Sequence, residues 1–229
     1  MSVVAPDLLA LFRTGEEPDD GYTGRILRAA MEQFVDVGIR RSTVADVARR
    51  AGLSRITVYR RFPRKADLIQ AVALTELRRF LAELDAAVAG LATAAERLVE
   101  GFVVTVRAIR SHPLLGRLFS TEPEALLPLV TVEFGPYLAL ARHVLAEQTV
   151  RDRIALPPGI DADALAELCV RLGVSHLLTR ETCVPLDTDE QTRAYAMRYL
   201  APIVSGAGTG RSRRWPVRSG ARRGGALPR

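Results

Sequence analysis

The chain has 229 residues, 48% of them hydrophobic and only 6% aromatic, which is enough for one large or two small domains with a true core. Its wealth of Ala, Leu, Val and Arg favours helices over sheets. No stretch has the apolar length that spans a bilayer, and the first residues lack the pattern of a signal peptide. We therefore expect a cytoplasmic protein with no membrane partner.

The net charge of +6 hides a segregation of charge along the chain. Residues 21–65 hold eleven Lys or Arg against three acids, and residues 205–229 hold seven Arg and no acid. The other two parts, residues 1–20 and 66–204, are net acidic. A basic block joined to an acidic body is typical of a polyanion-binding module, whereas a solvated face is the alternative for any run of charge.

Composition divides the chain into four parts. Residues 1–20 are acidic and punctuated by Gly and Pro, so we expect a flexible segment. Residues 21–66 form the basic module and residues 67–204 a helical body. Residues 205–229, rich in Gly, Arg and Pro, predict a disordered basic tail. This tail either adds non-specific DNA affinity or is an incidental extension.

The stretch over residues 42–65 carries the signals of two short helices joined by a turn. Thr43, with Asp46 three residues later, forms a capping-box variant that starts a helix. Gly52 supplies the residue that stops this helix, and Ser54 caps the next one. Helix, Gly-containing turn and second helix in roughly 20 residues follow the helix-turn-helix plan.

The second of these helices has an apolar and a polar face. Val58 and Phe62 share the apolar face, so we expect both in the core. The opposite face carries cations for phosphate and guanine and hydroxyl groups for phosphate oxygens, which are the groups that a major-groove reader needs. We assign Arg55, Thr57 and Arg60 to base edges.

These residues belong to the run ILRAAMEQFVDVGIRRSTVADVARRAGLSRITVYRRFPRKADLIQAV, which resembles the DNA-binding domain of the TetR family of transcriptional repressors. The resemblance extends from about Tyr22 to Leu74, under a quarter of the chain. It implies a three-helix head, with a helix over residues 23–37 packed behind the other two. It also implies a helical body and a connecting helix that begins at Lys65, a position that commonly contacts DNA phosphate in the family.

Two positions depart from the family's usual pattern. Ile56 stands where a small residue is typical, and Arg61 stands where histidine is common. Ile56 either contacts a thymine methyl group or packs against the protein. The residues that we assign to DNA phosphate are Thr43, Tyr59, Arg61 and Lys65.

The predicted fold is all-α, with about nine helices. Pro136 lies inside the helical run over residues 124–150, which predicts a kink or a split near Gly135. The last two helices, about 162–181 and 187–203, resemble the dimer interface of the family. Core packing within one subunit is the alternative for each apolar stripe.

The resemblance further implies a ligand pocket among the body helices, with a mostly apolar lining that suits a hydrophobic or amphipathic molecule. Plain core is the alternative for each candidate lining residue. The candidates are Phe102, Val106, Phe134, Tyr137 and His176.

No catalytic motif is present, and the three histidines and two cysteines lack metal-ligand spacing, so we expect no enzyme, no metal and no cofactor. We expect a bacterial repressor that binds a palindromic double-stranded DNA operator as a homodimer and is released by a small-molecule effector. The alternatives are an activator, a helical small-molecule-binding protein, and a protein that keeps the helix-turn-helix for protein contacts.

Overall fold

A computed structural model describes residues 21–179 and 181–205 of the chain. The predicted flexible segment, residues 1–20, lies outside the described residues, and so does the predicted basic tail from residue 206 onward.

Eleven helices and no strand occupy the described residues, which confirms the all-α expectation. The first three helices form the head, the fourth connects it to the body, and the rest make up the body. In chain order they are α1 (Tyr22–Val37), α2 (Val44–Ala51), α3 (Arg55–Arg61), α4 (Lys65–Val88), α5 (Ala94–Ser111), α6 (Pro113–Thr121), α7 (Pro123–Val130), α8 (Gly135–Arg151), α9 (Ala162–Leu178), α10 (Asp189–Tyr199) and α11 (Ala201–Val204).

The count exceeds the expected nine because two runs predicted as single helices are each divided near a proline. The expected break near Gly135 is present: α7 ends at Val130, and Pro136 lies in the first turn of α8, where its missing N–H is not needed. The final run is divided at Leu200, because Pro202 cannot donate a hydrogen bond to a carbonyl one turn earlier.

The head forms as its capping residues predict. Thr43 and Asp46 make a complete capping box at the start of α2, and Gly52 ends the helix with φ +63°. Ser54 caps α3 by accepting a hydrogen bond from the Thr57 N–H at 3.1 Å. Each contact spans only three residues of chain, so these helix boundaries follow from local chemistry.

The hydrophobic core of the head extends beyond the expected three-helix unit. Ile26, Phe34 and Val58 from the head are all buried in one cluster with Leu118 of α6 and Leu126 of α7. Two body helices therefore complete the core on which the DNA-reading helix rests. The head is fixed to this part of the body by apolar packing as well as by the α4 connection.

The body is built around α5. Helices α4, α9, α10 and α11 all pack against it, and α8 packs on α9 and α4. Ion pairs tie these helices together over long sequence distances, such as Arg97 to Asp152 at 2.6 Å and Arg107 to Asp189 at 2.7 Å. Within the described ranges no single helix is long and apolar enough to cross a membrane; α7 and α8 meet that test only together, with a 55° bend between them.

Candidate nucleic-acid interface and effector cavity

Helix α3 packs on the core of the head through its apolar face. Val58 is fully buried and Phe62 packs on the same cluster, as expected for the apolar face. The Ser54 hydroxyl lies 2.8 Å from the Thr57 hydroxyl, so both side chains are engaged at the N-terminus of the helix. This fixes the rotation of α3 and determines which of its side chains face outward.

The outer face of α3 brings together most of the residues predicted to contact DNA. Arg55, Ile56, Tyr59 and Arg60 are exposed, whereas Thr57 is half-buried. Among the described residues, neither Arg55 nor Arg60 forms an ion pair with an acidic side chain. The two guanidinium groups are therefore available to bind an anionic partner. Ile56 and Tyr59 lie between the two arginines in the sequence.

Two other predicted contacts have structural partners at the edges of this face. The Arg61 Nη1 donates a hydrogen bond to the Thr23 hydroxyl at 3.0 Å and so joins the end of α3 to the start of α1. The Thr43 hydroxyl accepts from the Asp46 N–H at 3.1 Å and donates to the Asp46 carboxylate at 2.6 Å. Thr43 is nevertheless exposed at the first residues of α2.

Lys65 lies apart from the outer face of α3. Its Nζ donates to the Arg40 carbonyl at 3.0 Å, in the turn between α1 and α2. Burial lowers the pKa of this ammonium group, and the nearby Glu122 carboxylate partly opposes that shift. Lys65 therefore joins the start of α4 to the head in this conformation.

The joint between head and body includes a buried carboxylate that was not predicted. Glu122, between α6 and α7, is only 7% exposed, and its Oε2 accepts from the Arg40 N–H at 3.0 Å. Gly38 has φ +95°, and a β-carbon at that position would overlap the Glu122 carboxylate. Arg40 also pairs with Glu124 at 2.9 Å. These partners are more than 80 residues apart, so no local pattern could have indicated them.

A cavity of about 440 Å³ lies in the body and extends to the head core. Its lining is mostly aliphatic and aromatic and comes from helices α4 to α9, with Phe34 and Ile39 contributed by the head and Leu200 and Ile203 by the end of the body. Phe102, Phe134 and Tyr137 are part of the lining, as predicted for candidate ligand contacts. The volume lies within the range typical of small-molecule sites, about 300–1,000 Å³.

Val106 and His176 were also proposed as ligand contacts, but they are not part of this lining. Val106 is buried in the cluster of α5, α10 and α11. The His176 ring packs edge-on against Phe102, with 5.4 Å between ring centres, and burial lowers its pKa. Both residues therefore lie behind the cavity wall. Helical periodicity in the sequence predicts that such residues are buried, but it does not show which buried residues line the cavity.

Apolar side chains remain exposed on the last helices. Leu168 on α9 is exposed, as are Met197 and Tyr199 on α10 and Ile203 on α11. The predicted dimer interface includes all four positions. Leu168 and Ile203 also line the cavity, whereas Met197 and Tyr199 do not, so these two are the ones suited to contact with a second protein surface.

Comparison with known families divides the chain as the structure does. Residues 26–72 match the family model described as "Bacterial regulatory proteins, tetR family". Residues 90–202 match the model described as "Bacterial Tetracyclin repressor, C-terminal domain". The chain belongs to the TetR family.

Relatives within the TetR family share both sequence and fold with it. An uncharacterised HTH-type transcriptional regulator of Mycobacterium bovis is 35% identical over 120 residues, covering 49% of this chain and 60% of that protein. The HTH-type transcriptional regulator AlkX of Mycobacterium tuberculosis is 28% identical over 165 residues, covering 71% and 75% of the two chains. The first match thus spans less than two thirds of the relative's length.

Among solved structures, the TetR family repressor AlkX from a Dietzia strain, implicated in biodegradation of n-alkanes, has a TM-score of 0.61 at 24% identity. The match covers 80% of this chain and 95% of that one. At that identity the likeness shows the fold alone. The TetR relatives are named as regulators and not as enzymes, which confirms the expectation of a non-enzymatic protein.

Proposed function

We propose that this chain is a ligand-responsive transcriptional regulator, a repressor that binds a palindromic operator as a homodimer in the cytoplasm. The observation that carries the proposal is the outer face of α3, where Arg55 and Arg60 are exposed without acidic partners among the described residues. Arginine paired with guanine is the commonest base-specific contact in the major groove. Thr57 joins the two arginines as a candidate for base edges, and Tyr59 and Arg61 flank them in positions suited to sugar and phosphate.

The homodimer is supported by the exposed apolar residues of α10, Met197 and Tyr199. Two copies of the head bound to half-sites about one turn of DNA apart require a two-fold assembly. Size-exclusion chromatography with light scattering should give a dimer for the unchanged chain. Met197→Glu should shift it toward monomer, whereas Val132→Glu, on the exposed link between α7 and α8, should leave the dimer intact.

The effector proposal rests on the cavity and on two body helices, α6 and α7, which line the cavity and also pack against the head. Leu118 of α6 and Leu126 of α7 line the cavity and also pack in the head core. A ligand that prefers a different spacing of these helices would favour a conformation in which the two heads no longer match the operator. The apolar lining suits an aliphatic or amphipathic molecule.

A displacement assay tests whether a small apolar molecule releases the protein from its operator. Operator DNA selected from random sequence is titrated with alkanes, fatty alcohols and fatty acids of graded chain length. At least one class should release the unchanged protein. Ala73→Leu, which adds volume to the cavity wall from α4, should bind the operator and resist release. Equal release of the two proteins would contradict the assignment of the cavity.

Base reading is tested by Arg60→Ala against Arg79→Ala, a matched exposed arginine on α4. Loss of a bidentate contact should weaken operator binding by about 1–3 kcal/mol and relax preference at one position of each half-site. The α4 variant should keep both affinity and preference. An unchanged base preference in Arg60→Ala would count against the role of this side chain.

A further inference from the structure

One aliphatic side chain stands exposed among the polar groups of α3. Ile56 is 81% exposed, whereas the other large aliphatic residues of the head are buried or half-buried, and Ile26 and Val58 are buried completely. It lies between Arg55 and Thr57, on the N-terminal turn of the helix. This exposure excludes one of the two interpretations of Ile56, because a side chain so exposed does not pack against the protein.

The position of Ile56 is fixed by its neighbours. The Ser54 cap holds the first turn of α3, and Val58, two residues later, is buried in the core. Ile56 is branched at its β-carbon, so few rotamers are open to it in a helix. An apolar contact made by this side chain would lose little conformational entropy, and its direction is set by the backbone of α3.

The surroundings of Ile56 restrict what it can contact. Arg55 precedes it and Arg60 lies one turn further along the exposed face, so the charge of this surface favours an anionic partner. Duplex DNA is anionic and displays one apolar group on its base edges in the major groove, the methyl group on C5 of thymine. An apolar protein surface would satisfy Ile56 but would leave the two guanidinium groups without partners.

We propose that Ile56 is a specificity-determining residue that contacts the 5-methyl group of a pyrimidine, one in each half-site. The proposal rests on the proposed function, since it requires that α3 enters the major groove. In unmodified DNA the methyl group belongs to thymine. 5-Methylcytosine presents the same group at the same place, so the experiment must separate the two sources.

The test removes the methyl group from the DNA and the side chain from the protein, separately and together. An operator is first selected from random DNA with the unchanged full-length protein. Each thymine is then replaced by deoxyuridine, which pairs identically but lacks the methyl group. Affinity is measured for the unchanged protein, for Ile56→Ala and for Val132→Ala, a control that truncates another highly exposed aliphatic residue outside α3.

At one thymine per half-site, we expect loss of the methyl group to weaken the unchanged protein about fourfold, or about fifteenfold when both half-sites are altered. Ile56→Ala should be insensitive to the same replacement, and Val132→Ala should respond like the unchanged protein. An operator with cytosine at that position should bind the unchanged protein more weakly than one with 5-methylcytosine. Ile56→Ala should bind these two operators equally well.

Two results would overturn the proposal. One is that no deoxyuridine replacement affects the unchanged protein, and the other is that Ile56→Ala remains as sensitive as the unchanged protein. Both results would leave the proposed function intact, because each is measured on an operator that the protein has already selected from random DNA. Failure to select any DNA sequence would instead refute the proposed function, and this proposal with it.

Discussion

The head and the body differ in how far along the chain their stabilising contacts reach. In the head, the caps of α2 and α3 join residues three positions apart, as Thr43 joins Asp46, and the Arg61–Thr23 hydrogen bond spans 38 positions. In the body, Arg97 pairs with Asp152 and Arg193 with Glu100, so the partners are 55 and 93 positions apart. Local contacts can be read from sequence, whereas distant ones appear only when the chain is folded.

The two kinds of contact meet at the joint formed by Gly38, Arg40, Lys65 and Glu122. Here a local feature, the glycine after α1, has a second role that depends on a carboxylate in the distant α6–α7 link. The two helices that this link joins border the cavity through Leu118 and Leu126. The joint therefore connects the turn between α1 and α2 to the segment between two helices that line the cavity.

Gly38→Ala should have the largest effect on stability. The substituted residue must adopt φ +95° with ψ 160°, a region that glycine occupies almost alone, and must also displace the Glu122 carboxylate. We expect a loss of about 3 kcal/mol in the free energy of unfolding, measured by chemical denaturation. Gly159→Ala is the matched control, since its φ is also positive but nothing lies near its added β-carbon, and it should lose about 1 kcal/mol. Equal losses would mean that the close approach at the joint is unimportant.

Glu122→Ala should lower the free energy of unfolding by about 2 kcal/mol, because it leaves the Arg40 N–H without its acceptor in a partly buried place. Glu122→Gln keeps an acceptor oxygen and should lose less than about 1 kcal/mol. The difference between these variants measures the hydrogen bond separately from the charge. If the two variants are equally stable, the Arg40 contact contributes nothing to the joint.

Lys65→Ala should act on DNA affinity rather than on base preference. If its ammonium group leaves the Arg40 carbonyl to bind phosphate, all operator sequences should bind about equally less tightly in the variant. The slope of log affinity against log salt should flatten by about 1. Fluorescence anisotropy at several salt concentrations, on the operator and on unrelated DNA, measures both quantities. A loss confined to the operator would contradict a phosphate contact.

His176 should give the smallest effect, and only in acid. Burial lowers the pKa of its imidazole in the folded protein, so the unfolded chain binds the proton more readily. Stability should therefore fall as the pH drops below about 6.5, the ordinary pKa of histidine. His176→Phe keeps a ring against Phe102 and should show a shallower decline of melting temperature between neutral pH and pH about 5. Parallel curves would show that another group is responsible.

The sequence sufficed for the parts of the fold that depend on neighbours along the chain. The capping residues Thr43 and Ser54, the core positions Val58 and Phe62 and the break near Gly135 were all visible as local patterns. For the candidate interface, the sequence indicated that Arg55 and Arg60 face outward, because the apolar face of α3 was clear.

What the sequence could not show depends on packing between distant segments. An apolar stripe on α5 predicts burial, but it does not separate Phe102, which lines the cavity, from Val106, which lies behind it. In the sequence, Glu122 is recognisable only as part of a break between two helices. Only the fold brings its carboxylate to the turn between α1 and α2. The exposure of Ile56 likewise became known only once α3 had been placed on the core.

The proposed function depends most on base reading by the outer face of α3. Selection from random DNA, carried out in parallel with the unchanged protein and with the Arg55→Ala, Arg60→Ala double variant, tests this directly. We expect the unchanged protein to enrich an inverted repeat with half-sites about one turn of DNA apart, and the folded double variant to lose that enrichment. The same inverted repeat selected by both proteins, or no enrichment by either, would contradict it.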